Sequence, residues 1–137
     1  MLMKKLCFVL VLILTLITIC SCGGYANSYS ATFLITSSRG DEANMEFESF
    51  KGTYSFKLKR DGAAQNTLDI DASLTEGEMK IYIGVGGEKE LLFTVKGGES
   101  FDKTVTLDAK YNGEQTVYVI LESVGKCKGG DFELEYN

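Results

Sequence analysis

The fold is decided by residues 68–85, which read LDIDASLTEGEMKIYIGV. Apolar side chains occupy every second position over residues 68–74 and again over residues 79–85, with polar residues or glycine between them. Alternation with a period of two residues is typical of a β-strand that buries one face. The Glu-Gly-Glu sequence at 76–78 separates the two runs. The segment therefore predicts two half-buried strands joined by a turn.

The same alternation recurs along most of the chain beyond residue 29. Further predicted strands cover residues 31–36, 45–50, 54–59, 91–95, 104–108, 116–122 and 132–136. Glycine-containing turn signals separate them, including Asn112-Gly113, a pair suited to a type I′ hairpin. No stretch shows a sustained helical stripe. We therefore predict an all-β fold: an antiparallel, jelly-roll-like β-sandwich of about eight or nine strands, preceded by an N-terminal signal helix.

The first 21 residues differ from the rest and predict a lipoprotein signal peptide. Two lysines follow the start, and residues 6–19 are almost purely apolar. Such a run suits a secretory signal and is short for a membrane span, which needs about 20 residues. The predicted organisation is a signal peptide over residues 1–21, a modified cysteine and short tether over 22–30, and a β-sandwich domain over 31–137.

Residues 19–22, Ile-Cys-Ser-Cys, resemble the lipobox of bacterial membrane lipoproteins. The resemblance implies that Cys22 receives diacylglycerol and becomes the first residue of the mature chain after cleavage behind Ser21. Acyl chains such as palmitate would then anchor the protein to the extracytoplasmic face of the cell membrane, which becomes a partner through the anchor. Cys20 is an unusual occupant of its lipobox position. An ordinary cleaved signal and a retained single span are the alternatives.

Composition and charge exclude several classes of function. The chain has 14 basic and 19 acidic residues, a net charge of −5. Loss of the two signal-peptide lysines leaves 12 basic against 19 acidic residues, a net charge of −7. This sign disfavours nucleic acid and anionic lipid headgroups, and it favours cationic partners or simply solubility. The sequence has no histidine, which removes the commonest general base and metal ligand.

Little in the predicted domain suits catalysis, so we expect neither an enzyme nor a cofactor. Pairs of serine or cysteine with histidine are impossible in this sequence. Cys127 is the one cysteine left after processing, so the mature domain forms no internal disulfide. Lys126 and Lys128 flank it. Two interpretations stay open: a reactive thiol whose pKa the lysines lower, or an incidental thiol.

Asp69 and Asp71 lie two residues apart on a predicted strand and therefore project from one face about 7 Å apart. Paired carboxylates serve glycoside hydrolysis or hold calcium, and they also form the solvated side of an ordinary amphipathic strand. No EF-hand spacing is present. Loop carboxylates such as Asp41, Glu42 and Asp131 leave a calcium site open. We predict no catalytic residue and no metal ligand.

Tyr82 and Tyr118 are the candidate aromatic residues of a ligand-binding face. Both occupy the polar phase of their predicted strands, so each is expected to face solvent. Exposed rings serve as stacking platforms in sugar sites, although tryptophan is absent from this chain. Alternatively, the two tyrosines pack as cross-strand pairs or under a loop.

Residues 69–136 carry a second resemblance. Strand-and-turn patterns such as Gly77-Glu78-Met79-Lys80-Ile81 and Tyr111-Asn112-Gly113 are similar to those of small jelly-roll sandwiches in exported proteins, including pre-peptidase C-terminal and carbohydrate-binding-like domains. The resemblance implies a sandwich that binds a ligand or acts as a spacer. It implies no catalytic residue. We expect a non-catalytic surface lipoprotein that binds an extracellular ligand or cell-envelope glycan. The alternative is an accessory module that positions a protein partner at the membrane.

Overall fold

The computed structural model describes Tyr25, residues 27–62 and residues 65–137. The predicted signal peptide and Cys22 lie outside these residues. The elements are β1 (Ser28–Thr32), β2 (Ile35–Arg39), β3 (Glu42–Lys59), β4 (Thr67–Val85), β5 (Glu88–Lys96), β6 (Ser100–Thr106), a 3₁₀ helix (Ala109–Tyr111) and β7 (Thr116–Tyr136). All strand pairs are antiparallel. Within the described ranges, no helix is long and apolar enough to cross a membrane.

The predicted fold class is confirmed, with seven strands where about eight or nine were expected. Three predicted pairs of short strands are single long strands, β3, β4 and β7. Gly52 and Gly77, with backbone φ angles of +131° and +96°, form β-bulges at the points where the sequence suggests breaks. A bulge bends a strand without ending its pairing, so each long strand continues past its glycine.

The bends fold the sheet over itself into two layers. Layer 1 contains β2, residues 42–50 of β3, 127–136 of β7, 67–74 of β4, and β6, in that order across the sheet. Layer 2 contains residues 53–59 of β3, 116–124 of β7, 78–85 of β4, and β5. Strand β1 pairs with residues 49–53, across the bend of β3. The result is a sandwich whose central strands belong to both layers.

The core lies between the layers and forms one cluster of apolar side chains. In β4 the buried residues occupy even positions from Leu68 to Leu74 and odd positions from Met79 to Ile83. The bulge at Gly77 shifts the alternation by one residue, so both halves of the strand bury the same face. On the β5–β6 side of the sandwich, the Phe93 and Phe101 rings stack 4.0 Å apart and close the gap between the layers.

The N-terminal strands differ from the prediction in their bounds. The strand expected over 31–36 is two strands, because Phe33 has a positive φ of +51° that ends β1 and lets the chain turn into β2. Strand β1 begins at Ser28, so residues 28–30 of the predicted tether pair with β3.

Candidate functional site

The outer surface of layer 1 is densely acidic. Its inward positions are apolar and buried, so the alternate positions of each strand face solvent. Nine carboxylates share these outward positions, and we call this surface the acidic face: Glu42, Glu46, Glu48, Asp69, Asp71, Asp102, Asp131, Glu133 and Glu135. Among the outward positions of this layer, the basic residues are Arg39, at the edge opposite Glu42, and Lys128, which forms an ion pair with Glu76 at 3.7 Å.

Carboxylates on the acidic face lie directly across from one another. Glu42 is the register partner of Glu135, which is in turn the partner of Asp69. Burial raises the pKa of the Glu135 carboxyl above its usual value, and the charges of Asp41, Glu42 and Asp69 raise it further. Like charges directly opposite on neighbouring strands destabilise a sheet. The acidic face therefore costs the fold stability.

A groove of about 310 Å³ runs along the acidic face. It is lined by Glu42, Asn44, Asp69, Ile70, Asp71, Asp102, Glu133, Leu134 and Glu135. The Thr104 hydroxyl and the Asn137 side-chain amide each donate a hydrogen bond to the Asp69 carboxylate, at 2.5 and 2.9 Å. These bonds fix Asp69, while Asp71 on the same face stays exposed. In the described part of the chain, no three acidic or cysteine side chains are arranged to hold a metal ion.

We expect Glu135→Gln to stabilise the domain at neutral pH by about 0.5 kcal/mol, because it removes one of the opposed charges. The raised pKa of Glu135 means that the folded state binds its proton more tightly than the unfolded state does. Stability is therefore highest below the usual carboxyl pKa and falls as the pH rises through the raised value. Urea unfolding at pH 4 and pH 7 checks this. The gain should vanish at pH 4, and Glu99→Gln, in the β5–β6 turn, is the control. A gain of equal size at both pH values would contradict the explanation.

The outer surface of layer 2 has the opposite charge. Five lysines occupy its outward positions, and we call this surface the lysine face: Lys57, Lys59, Lys80, Lys89 and Lys96. Glu78 and Glu122 are the acidic residues at outward positions of its strands. Lys89 forms an ion pair with Glu122 at 2.9 Å. The domain thus carries negative charge on one face and positive charge on the other. Its net charge alone does not show this separation.

Tyr82 and Tyr118 lie on the lysine face, on the neighbouring strands β4 and β7. Tyr118 is opposite Gly84, whose missing side chain leaves room for Tyr25; the Tyr25 and Tyr118 rings are 5.2 Å apart. The Lys89 ammonium lies 4.4 Å from the centre of the Tyr82 ring. Both rings are half-buried. The structure brings the two tyrosines to one face, and neighbouring side chains cover part of each.

Cys127 has a raised pKa, not the lowered pKa that its flanking lysines suggested. Its side chain is fully buried in the core, and burial is the main cause of the raised pKa. The thiol donates a hydrogen bond to the carbonyl of Glu78 at 3.0 Å. Lys126 and Lys128, next to it on the strand, are exposed, since neighbouring residues of a strand face opposite sides. The thiol is therefore protonated and shielded at neutral pH.

A smaller polar cluster lies beside the 3₁₀ helix. Lys110 forms an ion pair with Glu90 at 2.6 Å, and the Tyr111 hydroxyl donates to the same carboxylate at 3.1 Å. These two hydrogen bonds, that of Lys110 first, lower the pKa of Glu90. The charged groups of this cluster pair with one another, and these contacts hold the 3₁₀ helix against β5.

No protein-family model and no curated protein matches the chain. Among solved structures, it is similar to a family 29 carbohydrate binding module, at 20% identity over 83% of this chain and 76% of that chain, with a TM-score of 0.42. A variant of such a module complexed with mannohexaose gives 20% identity over 83% and 79%, with a TM-score of 0.43. A variant complexed with cellulohexaose gives 19% identity over 83% and 78%, with a TM-score of 0.45. These TM-scores are low, so the likeness carries no functional assignment for this chain.

Proposed function

We propose that this chain is a non-catalytic surface lipoprotein, anchored through Cys22, whose β-sandwich binds an extracellular glycan in the groove of the acidic face. The anchor is supported by the positive start, the apolar run over residues 6–19 and the Ile-Cys-Ser-Cys sequence at 19–22. The absence of histidine from the sequence supports a role in binding over one in catalysis.

The observation that carries the proposed ligand is the set of carboxylates along the groove. Ionised carboxylates only accept hydrogen bonds, so the ligand must supply donors. Sugar hydroxyls and amino groups are donors, and a protonated amino group adds charge complementarity to the hydrogen bond. Asn44 provides both a donor and an acceptor in the same groove. A glycan that carries free amino groups fits these residues best.

The aromatic pair on the other side is a less open surface for a glycan. A stacking platform must present the face of a ring to the ligand. On the lysine face, Tyr25 packs against Tyr118, and Lys89 lies over Tyr82. A glycan would have to displace both neighbours before it could stack. The groove on the acidic face requires no such displacement.

Calorimetric titration of the purified lipoprotein in detergent tests the proposal. Glucosamine oligomers at mildly acidic pH should bind about tenfold more tightly than N-acetylglucosamine oligomers of equal length, because acetylation removes the charge. The double variant Asp71→Asn, Glu133→Gln should lose this preference, and Lys57→Gln, Lys80→Gln should keep it. Binding of neither oligomer would contradict the proposed ligand. Loss of binding in Tyr82→Ala with the acidic face intact would instead assign the site to the tyrosines.

A further inference from the structure

The chain enters the domain on the lysine face. The Tyr25 hydroxyl donates a hydrogen bond to the carbonyl of Glu88 at 2.5 Å, and the Ser55 hydroxyl donates to the carbonyl of Tyr25 at 3.0 Å. The Ser55 amide donates to the side-chain oxygen of Asn27 at 2.8 Å. The Tyr25 ring also fills the space above Gly84. Two residues that precede β1 are therefore held against layer 2.

This attachment leaves a short distance between the domain and Cys22. Three residue steps separate Cys22 from Tyr25, and a fully extended chain spans at most about 11 Å over that length. The acidic face lies on the far side of the sandwich, whose layers are about 10 Å apart. A lipid on Cys22 would therefore bring the lysine face, and not the acidic face, close to the bilayer.

The charge of each face suits this orientation. The lysine face carries five lysines against two glutamates at its outward positions. Basic residues close to a bilayer are attracted to anionic headgroups. That attraction decays over about 8 Å at physiological ionic strength, so the carboxylates beyond the second layer are largely screened from the same headgroups. Leu91 adds an exposed apolar side chain, 48% accessible, to the lysine face.

We propose that the lysine face rests on the anionic headgroups of the membrane and thereby presents the acidic face to the extracellular side. The inference depends on the proposed lipid anchor at Cys22. The negative net charge of the mature chain predicts repulsion from such a membrane. Because the lysines and carboxylates lie on opposite faces, the anionic headgroups attract the lysine face and repel the acidic face. The membrane therefore favours one orientation of the domain.

The full-length lipoprotein, reconstituted in vesicles of equal parts phosphatidylcholine and phosphatidylglycerol, tests the orientation. A fluorophore is attached in Leu91→Cys on the lysine face or in Asp71→Cys on the acidic face, while buried Cys127 stays unlabelled. A water-soluble quencher should quench the label at position 91 about threefold less than the label at 71, because headgroups shield only the lysine face. In vesicles of phosphatidylcholine alone, the difference should shrink.

Charge reversal supplies the matched control. Lys57→Glu, Lys80→Glu, Lys96→Glu should abolish the protection of position 91. Lys51→Glu, Lys103→Glu, Lys128→Glu changes the net charge equally outside the lysine face and should preserve it. Equal circular dichroism spectra establish that both variants are folded. Equal quenching at 71 and 91 in the wild-type background would refute the orientation.

Intact-mass analysis and vesicle flotation separate a failure of the anchor from a failure of the orientation. A wild-type chain that carries lipid and floats, with equal quenching at both labels, refutes the orientation alone. A chain without lipid refutes the anchor, and the orientation falls with it. Cys22→Ala should not float, which links flotation to the lipid.

Discussion

Replacement of Gly52 by alanine is expected to unfold the domain or to lower its free energy of unfolding by about 4 kcal/mol. Gly52 lies in the bulge of β3 with a φ of +131°, a region that is costly for any other residue. A Cβ there would overlap the main-chain oxygen of Ser28 and lie 2.6 Å from the Cα of Tyr29. Both are backbone atoms of the paired strand β1, so no side-chain rotation relieves the clash. The loss is a large fraction of a typical stability of 5–15 kcal/mol.

Urea unfolding measures this effect, and Gly86→Ala is the matched control. Gly86 also has a positive φ, +66°, but nothing lies within 4 Å of a Cβ built there. Gly86→Ala should lower the free energy of unfolding by only about 1–2 kcal/mol, the cost of placing alanine in the left-handed region. The difference between the two variants isolates the contact with β1. Equal urea midpoints would show that β1 is not held tightly against the bend.

The error in the strand count has a specific physical cause. Gly77 and Gly86 both follow an alternating run of β4, and both have a positive φ. At Gly86 the chain reverses into β5, whereas at Gly77 it continues through a bulge. A tight turn and a bulge both favour a glycine with positive φ, so local sequence does not distinguish them. The alternation itself was sufficient to predict the antiparallel β-sandwich.

The acidic face was predictable only in part. Asp69 and Asp71 share a strand, so their common face follows from the period of two residues. The position of Glu42 and Glu135 beside Asp69 depends on the registers of β3, β7 and β4, and alternation specifies faces without specifying neighbours. For the same reason, net charge alone could not reveal that lysines gather on one layer and carboxylates on the other.

Arg60, directly after β3, is expected to be the most important polar residue for stability. Its side chain is 2% exposed, and its guanidinium lies 4.6 Å from the centre of the Tyr136 ring. It donates hydrogen bonds to the main-chain oxygens of Asn112 at 2.8 Å and of Tyr111 and Asn137 at 3.3 Å each. Among the described residues, no Asp or Glu side chain lies within ion-pair distance of its guanidinium. Arg60 thus joins the end of β3 to the 3₁₀ helix and the end of β7.

Arg60→Ala should lower the free energy of unfolding by about 4 kcal/mol, because it leaves a cavity and removes three hydrogen bonds. The oxygens of Tyr111 and Asn137 keep the amides of Glu114 and Thr67 as donors, so the loss of the bond to Asn112 matters most. Arg60→Met fills most of the volume and removes a buried charge, so we expect about half that loss. Urea unfolding measures both, and exposed Arg39→Ala should change stability by less than about 0.5 kcal/mol. If Arg60→Met were as stable as the wild type, the hydrogen bonds would only balance the cost of burying the charge.

Tyrosine titration gives a second readout that distinguishes the charge of Arg60 from its volume. Burial raises the pKa of Tyr136, while the positive charge of Arg60 lowers it. Both Arg60 variants remove the charge, so the Tyr136 titration should move to higher pH in each, although their stabilities differ. Ultraviolet absorbance during alkaline titration of the folded variants, with Tyr136→Phe to identify the signal, measures the shift. An unchanged titration in Arg60→Met would show that the guanidinium contributes packing and hydrogen bonds, and that its positive charge has little effect on the pKa of Tyr136.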